Sequence, residues 1–114
     1  MSEHVIEGRY HPSHGHEAED WELLLDGVKL DAKKSQKVFN HSPDGLAWGY
    51  GGSAPAQAAL AILLAVTEDE KVSLALHNQF MHSVLMDVPM RNDFTLTLDI
   101  EHWVEEQQRS MSLP

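Results

Sequence analysis

Trp48-Gly49-Tyr50-Gly51-Gly52-Ser53-Ala54-Pro55 runs directly into the apolar stretch AQAALAILLAV at 56–66. Eight residues hold three glycines, two aromatics and a helix-start signal, and the longest apolar run of the chain follows at once. Ser53 is placed to cap free amides of a first helical turn. Pro55 is tolerated there because its missing N–H has no intrahelical partner. Beyond it, Ala58 to Val66 is apolar on nearly every side, the pattern of a helix buried at the centre of a fold. The alanines permit close backbone approach. The junction therefore reads as a shaped loop held on the end of a central helix.

Upstream of the junction the periodicity is that of strands. Residues 5–10 alternate, with Ile6 and Tyr10 on one side and Glu7 and Arg9 on the other. Trp21, Leu23 and Leu25 alternate, Asp26-Gly27 is a turn signal, and Val28 and Leu30 resume the period, which predicts a hairpin. The segment 11–20, with Pro12 and Gly15, reads as the loop between strands. Residues 31–47 show little periodicity and read as a connection anchored by Val38 and Phe39, with a turn at Ser42-Pro43-Asp44-Gly45. Leu46, Trp48 and Tyr50 alternate, which predicts a short strand leading into the glycine loop.

Downstream the period changes to that of helices. Thr67-Glu68-Asp69-Glu70 predicts a break and a new helix start. Val72, Leu76, Phe80, Val84 and Val88 then recur at helical spacing, widened by Met81 and Leu85 and stopped by Pro89. Phe94 and Leu96 plug the next connection. Thr97 or Asp99 caps a last helix with Ile100, Trp103 and Val104 facing inward. The expectation is an α+β fold in one compact domain spanning 1–114, a small antiparallel sheet or hairpin packed against about three helices.

Composition narrows the function. The 114 residues carry a formal charge of −10, with 18 acidic and 8 basic side chains. Binding to a phosphate backbone would work against general repulsion, so no direct nucleic-acid contact is expected. An acidic domain instead suits a basic protein partner. Lys29, Lys33, Lys34 and Lys37 gather as a solvated basic segment or a small anion-contact patch. With no cysteine there is no thiol chemistry. The chain starts without a basic, apolar leader and has no run of membrane-spanning length, which predicts a cytoplasmic protein without membrane contact.

The candidate ligand- or partner-binding residues are Trp48, Gly49, Tyr50, Gly51, Gly52 and Ser53. Glycines expose backbone amides, and the adjacent helix start adds unsatisfied N–H groups and a field that favours an anion. Trp48 or Tyr50 would offer a stacking surface. The spacing is neither that of a Walker loop nor that of a dinucleotide fingerprint. His11, His14 and His16, with Glu17, Glu19 or Asp20, form the one local group resembling a metal site, but the spacing matches no familiar zinc pattern and no metal or other cofactor is expected. His77 and His82, five apart, do not share a helix face, and His102 reads as a surface residue. A Ser53–His41–Asp44 nucleophile arrangement competes with the capping role of Ser53 and the turn role of Asp44, so no catalytic residue is assigned. Met81, Met86 and Met90 read first as core and second as adaptable contact surface.

His41-Ser42-Pro43-Asp44-Gly45 together with Trp48 through Leu63 resembles the signature of a small uncharacterised family of bacteria and their phages, a WGYGGSGPAQLALAIL-like segment behind a His-Ser-Pro-x-Gly turn. Ala54 stands where that signature has glycine, which makes the turn less permissive. The resemblance extends less distinctly through Gly8-Arg9-Tyr10, Asp26-Gly27, Phe80, Val84, Pro89, Phe94 and Trp103. It implies a bacterial or phage setting and supplies no catalytic residue, cofactor or substrate. The expected function is a non-enzymatic interaction protein, an inhibitor or modulator of a basic host protein. The alternative is a domain that binds a small anion or a nucleotide ligand.

Overall fold

The computed structural model describes residues 3–11, 21–43 and 45–111. Four strands form an antiparallel sheet: β1 (His4–Tyr10), β2 (Trp21–Leu25), β3 (Val28–Lys29) and β4 (Phe94–Leu98), in the spatial order β3-β2-β1-β4. Among the described residues, four α-helices accompany it: α1 (Ala32–Val38), α2 (Ser53–Thr67), α3 (Glu70–Phe80) and α4 (Ile100–Met111). The α+β reading holds, with an antiparallel sheet packed against several helices. No helix among the described residues is long and apolar enough to cross a membrane.

The hairpin forms where its turn chemistry predicts. Asp26 and Gly27 both take positive φ, the geometry of a two-residue turn whose twist matches that of the strands. Leu25 then faces Val28, and Leu24 faces Lys29. β1 occupies the middle of the sheet, with Ile6 opposite Leu25 on one side and Leu96 on the other. Phe94 and Leu96, expected to plug a connection, instead belong to β4, the second partner of β1. Its Phe-Thr-Leu-Thr-Leu alternation is a strand pattern, with Thr95 and Thr97 exposed and Phe94 buried.

α2 is the central helix that its composition predicts. Pro55 to Leu63 are buried without interruption. The helix ends at Glu68, in the left-handed region, and Asp69 accepts a hydrogen bond from the Val72 N–H to start α3. The predicted break therefore falls where expected. Two details of the start differ. Ser53 is already helical, and the capping position belongs to Gly52, whose extended backbone precedes the first turn. Residues 45–48 pair with no strand. The Leu46, Trp48 and Tyr50 alternation reflects packing of Leu46 and Trp48 into the core, with Tyr50 left outside.

The amphipathic run predicted over 71–88 is α3 followed by a π-helical segment, Met81–Leu85. The Met86 N–H donates to the Met81 carbonyl, five residues back. One extra residue in a turn rotates everything beyond it. Leu85 becomes fully buried and Val84, the residue in phase with Phe80, is only partly so. The Leu85 carbonyl then meets the glycine loop.

α1 was expected as irregular connection. Asp31 caps it by accepting from the Lys33 N–H at 2.9 Å. The helix carries no apolar stripe because Ser35 is the residue it buries. At the other end of the chain, Asp99 accepts from the His102 N–H and caps α4, which buries Ile100 and Val104 and stacks Trp103 edge-on against Phe80. Thr97 lies within β4. Trp48, Phe80, Ile6, Leu60, Ile62 and Leu85 are fully buried members of the core. At roughly 2 kcal/mol for each large side chain removed from water, this burial is what opposes the entropy of ordering the chain.

Candidate functional site

The glycine loop is split in two. Trp48 is fully buried and stands edge-on to Trp21 and Phe94, with ring centroids 4.8 and 5.3 Å apart. Its indole N–H donates to the Asn92 carbonyl at 3.1 Å. The Gly49 N–H donates to the Leu85 carbonyl at 2.7 Å, so this amide is committed to the fold. Gly49 has φ +87°, and a Cβ there would come within 2.5–2.7 Å of the Met90 backbone and Cβ. Only glycine fits such a position.

From Tyr50 onward the loop faces outward. Tyr50 and Gly51 are exposed, Gly52 is half-buried and Ser53 is exposed at the first position of α2. Gly51 has ordinary backbone geometry, and a Cβ on it would meet the Met86 side chain at a normal contact distance of 3.4 Å. Tyr50, Ser53 and Ala54 line an open cleft of about 490 Å³. Trp21, Ser42, Gly45, Met90 and Arg91 also line it. The turn bearing Arg91 is held by the Trp48–Asn92 bond and by a bond from the Asn92 amide to the Met90 carbonyl at 3.0 Å. The cleft thus sets apolar surface and hydroxyls beside one guanidinium and the positive end of a long helix.

Gln57 is the residue that composition hides. It is fully buried in α2 and uses its whole amide. Its Oε1 accepts from the His41 and Ser42 N–H groups at 2.7 and 3.0 Å. Its Nε2 donates to the Ser35 hydroxyl and the Phe39 carbonyl at 2.8 and 3.1 Å. One side chain therefore welds the His41-Ser42-Pro43 turn and α1 to the central helix. A lone glutamine in a run of alanine and leucine is the signal that points to it.

His41 does not meet Ser53. Its ring lies against Phe39, and its Nε2–H donates to the His77 Nε2 at 2.7 Å. The His77 Nδ1–H donates to the Leu74 carbonyl at 2.8 Å, which leaves its Nε2 as the acceptor. Burial, and then the neighbouring His77, hold the His41 pKa below the usual histidine value. The base required by the Ser53–His41–Asp44 arrangement is thus engaged elsewhere, and Asp44 lies outside the described residues. His14, His16, Glu17, Glu19 and Asp20 also lie outside them. Among the described residues no three histidine or carboxylate side chains converge as a metal group.

A different histidine is clamped between carboxylates. The His4 Nδ1–H donates to Asp26 at 2.6 Å and its Nε2–H to Glu101 at 2.8 Å. The Val5 N–H donates to the same Asp26 carboxylate. The hydrogen bond to Glu101, then that to Asp26, raises the His4 pKa. The Asp26 pKa falls, chiefly through His4. β1, the hairpin turn and α4 are joined by this one imidazolium.

A sequence-family model described as a family of unknown function, DUF6166, matches residues 10–106. No curated protein and no solved structure matches the chain. The match takes in β2, β3 and β4, the glycine loop, α1 to α3 and the first half of α4, and begins at the last residue of β1. The chain belongs to this family.

Proposed function

We propose that this member of a family of unknown function is a non-enzymatic interaction protein that engages its partner through the cleft at the start of α2. The observation that carries this reading is the division of the loop. Trp48 and Gly49 are spent on the core and on Leu85, whereas Tyr50 and Ser53 are exposed and line an open cleft, and Gly51 between them in sequence is exposed. A loop needed only to connect elements has no use for an exposed aromatic beside a formed concavity. The acidic balance of the chain suits a basic protein, and exposed Glu101, Glu105 and Glu106 on α4 add to it. The signature at 41–63 supports a bacterial or phage setting with a cytoplasmic host protein as partner. Inhibition by covering that partner's nucleic-acid-binding surface fits the same charge.

The test is a photo-crosslinking side chain placed at position 50 and, as a control, at the exposed position 102. The reading expects one discrete protein adduct from position 50 and none of it from position 102. Identical adducts from both positions, or none from position 50, contradict it.

A second reading rests on Arg91 sharing the cleft with the first turn of α2. The cleft then holds a small anion or the phosphate of a nucleotide, with Tyr50 stacking on an attached ring. Calorimetry with inorganic phosphate and with nucleoside monophosphates decides it. Binding that weakens at least tenfold in Arg91→Gln favours this reading, and heats unchanged from buffer remove it.

A further inference from the structure

A second surface of the chain is one that the cleft does not explain. Lys71 is the only lysine outside residues 29–37, where Lys29, Lys33, Lys34 and Lys37 all stand exposed. In a chain of net charge −10 this is a sharp local inversion of sign. Two of them, Lys29 and Lys34, border a groove of about 430 Å³ between β3 and the second half of α2. Val28, Leu30, Ala61, Leu64 and Ala65 give it an apolar lining. Val28 is 68% exposed, the most exposed large apolar side chain described. Lys29 and Lys34 lie on the groove, as do Asp31 and Glu68. Asp31 is occupied in capping α1, and Lys29 also lies 3.5 Å from Glu22.

β3 is an edge of the sheet. In a two-residue hairpin the pair flanking the turn, Leu25 and Val28, exchanges hydrogen bonds, and the next pair, Leu24 and Lys29, does not. The Leu30 N–H returns to the Leu23 carbonyl at 2.8 Å, which keeps that alternation. The N–H and C=O of Lys29 therefore point away from β2, toward the open side. An open edge strand beside a helix, with an apolar trough between them, is the arrangement that receives an added strand: backbone groups supply affinity and alternate side chains enter the trough.

We infer that this groove binds an extended acidic peptide segment as a fifth strand along β3, with alternate apolar side chains over Leu30 and Leu64 and its carboxylates against Lys29 and Lys34. Charge selects the occupant. A basic segment meets Lys29 and Lys34 on the groove and exposed Lys33 and Lys37 on the adjoining α1, against Asp31 and Glu68, and a second copy of the chain brings a further −10 of net charge. The groove shares no lining residue with the cleft, so the inference stands apart from the proposed function.

The test is selection of random peptides displayed against the full chain, followed by calorimetry and backbone amide shifts with the enriched peptides. Enriched sequences are expected to be acidic with alternating apolar residues, and to shift the amides of 28–30 and 61–65. The Lys29→Glu/Lys34→Glu variant, checked for an unchanged unfolding midpoint, is expected to weaken them at least tenfold. Lys71→Glu changes affinity less than twofold. Neutral or basic winners, shifts confined to other regions, or no enrichment would overturn the inference. So would Lys29→Ser/Lys34→Ser chains that associate with each other and bind no peptide, since the lysines then serve only to keep an open edge from pairing.

Discussion

Trp48-Gly49 and Tyr50-Gly51 are adjacent dipeptides of the same kind, an aromatic followed by a glycine, and the fold uses them in opposite ways. The first aromatic is sealed between Trp21 and Phe94, and the second stands at the mouth of a cleft. The first glycine has a left-handed backbone with Met90 against it, whereas the second has ordinary geometry and room for a methyl group. Composition is therefore a poor guide to role. What separates the two is the position of the π-helical segment, whose Leu85 carbonyl captures the Gly49 amide and turns the chain outward after it.

Substitutions sharpen this contrast in order of size. Trp48→Ala removes the largest fully buried side chain and is expected to cost about 4 kcal/mol in urea unfolding. A cost below about 1 kcal/mol would remove Trp48 from the structural half. Gln57→Leu keeps the volume and leaves buried N–H and C=O groups without their partners. It is expected to cost about 3 kcal/mol and to release the 39–42 turn, read as faster amide hydrogen exchange at His41 and Ser42. Unchanged exchange there would break the link between that turn and α2.

The His4 clamp gives a smaller, pH-dependent effect. A histidine whose pKa is raised on folding stabilises fully below its unfolded value near 6.5, and that stabilisation is lost as pH climbs through the raised value. His4→Gln should therefore cost about 1 kcal/mol at pH 5.5 and much less at pH 9. Equal urea midpoints for variant and wild type at both pH values would contradict the clamp. Smallest of all, Tyr50→Ala and Ser53→Ala should each change stability by less than about 0.5 kcal/mol while weakening whatever the cleft holds. A large stability loss in either would return the outer half of the loop to the core.

Much of this was legible in the sequence. The hairpin announced itself through Asp26-Gly27, the central helix through its unbroken apolar run, and the break before α3 through Asp69. β4 escaped although Phe94 to Leu98 alternates, because its partner is β1, far away in sequence, and one short strand between helices resembles a plug. α1 escaped because a seven-residue helix that buries a serine leaves no apolar period. Ser53 was displaced by one position as the cap because extended Gly52 ends the loop. The His41–His77 pair joins residues 36 apart, which no local spacing reports. The locus at 48–53 was visible, but its division was not, since that depends on the register shift at Met81–Leu85.

The division is tested most directly by urea unfolding of Gly49→Ala and Gly51→Ala side by side at pH 7. The account predicts a loss of about 3 kcal/mol for Gly49→Ala, from positive φ and the Met90 backbone together, and a change within about 0.5 kcal/mol for Gly51→Ala. Equal losses, or a larger loss at Gly51, would contradict it.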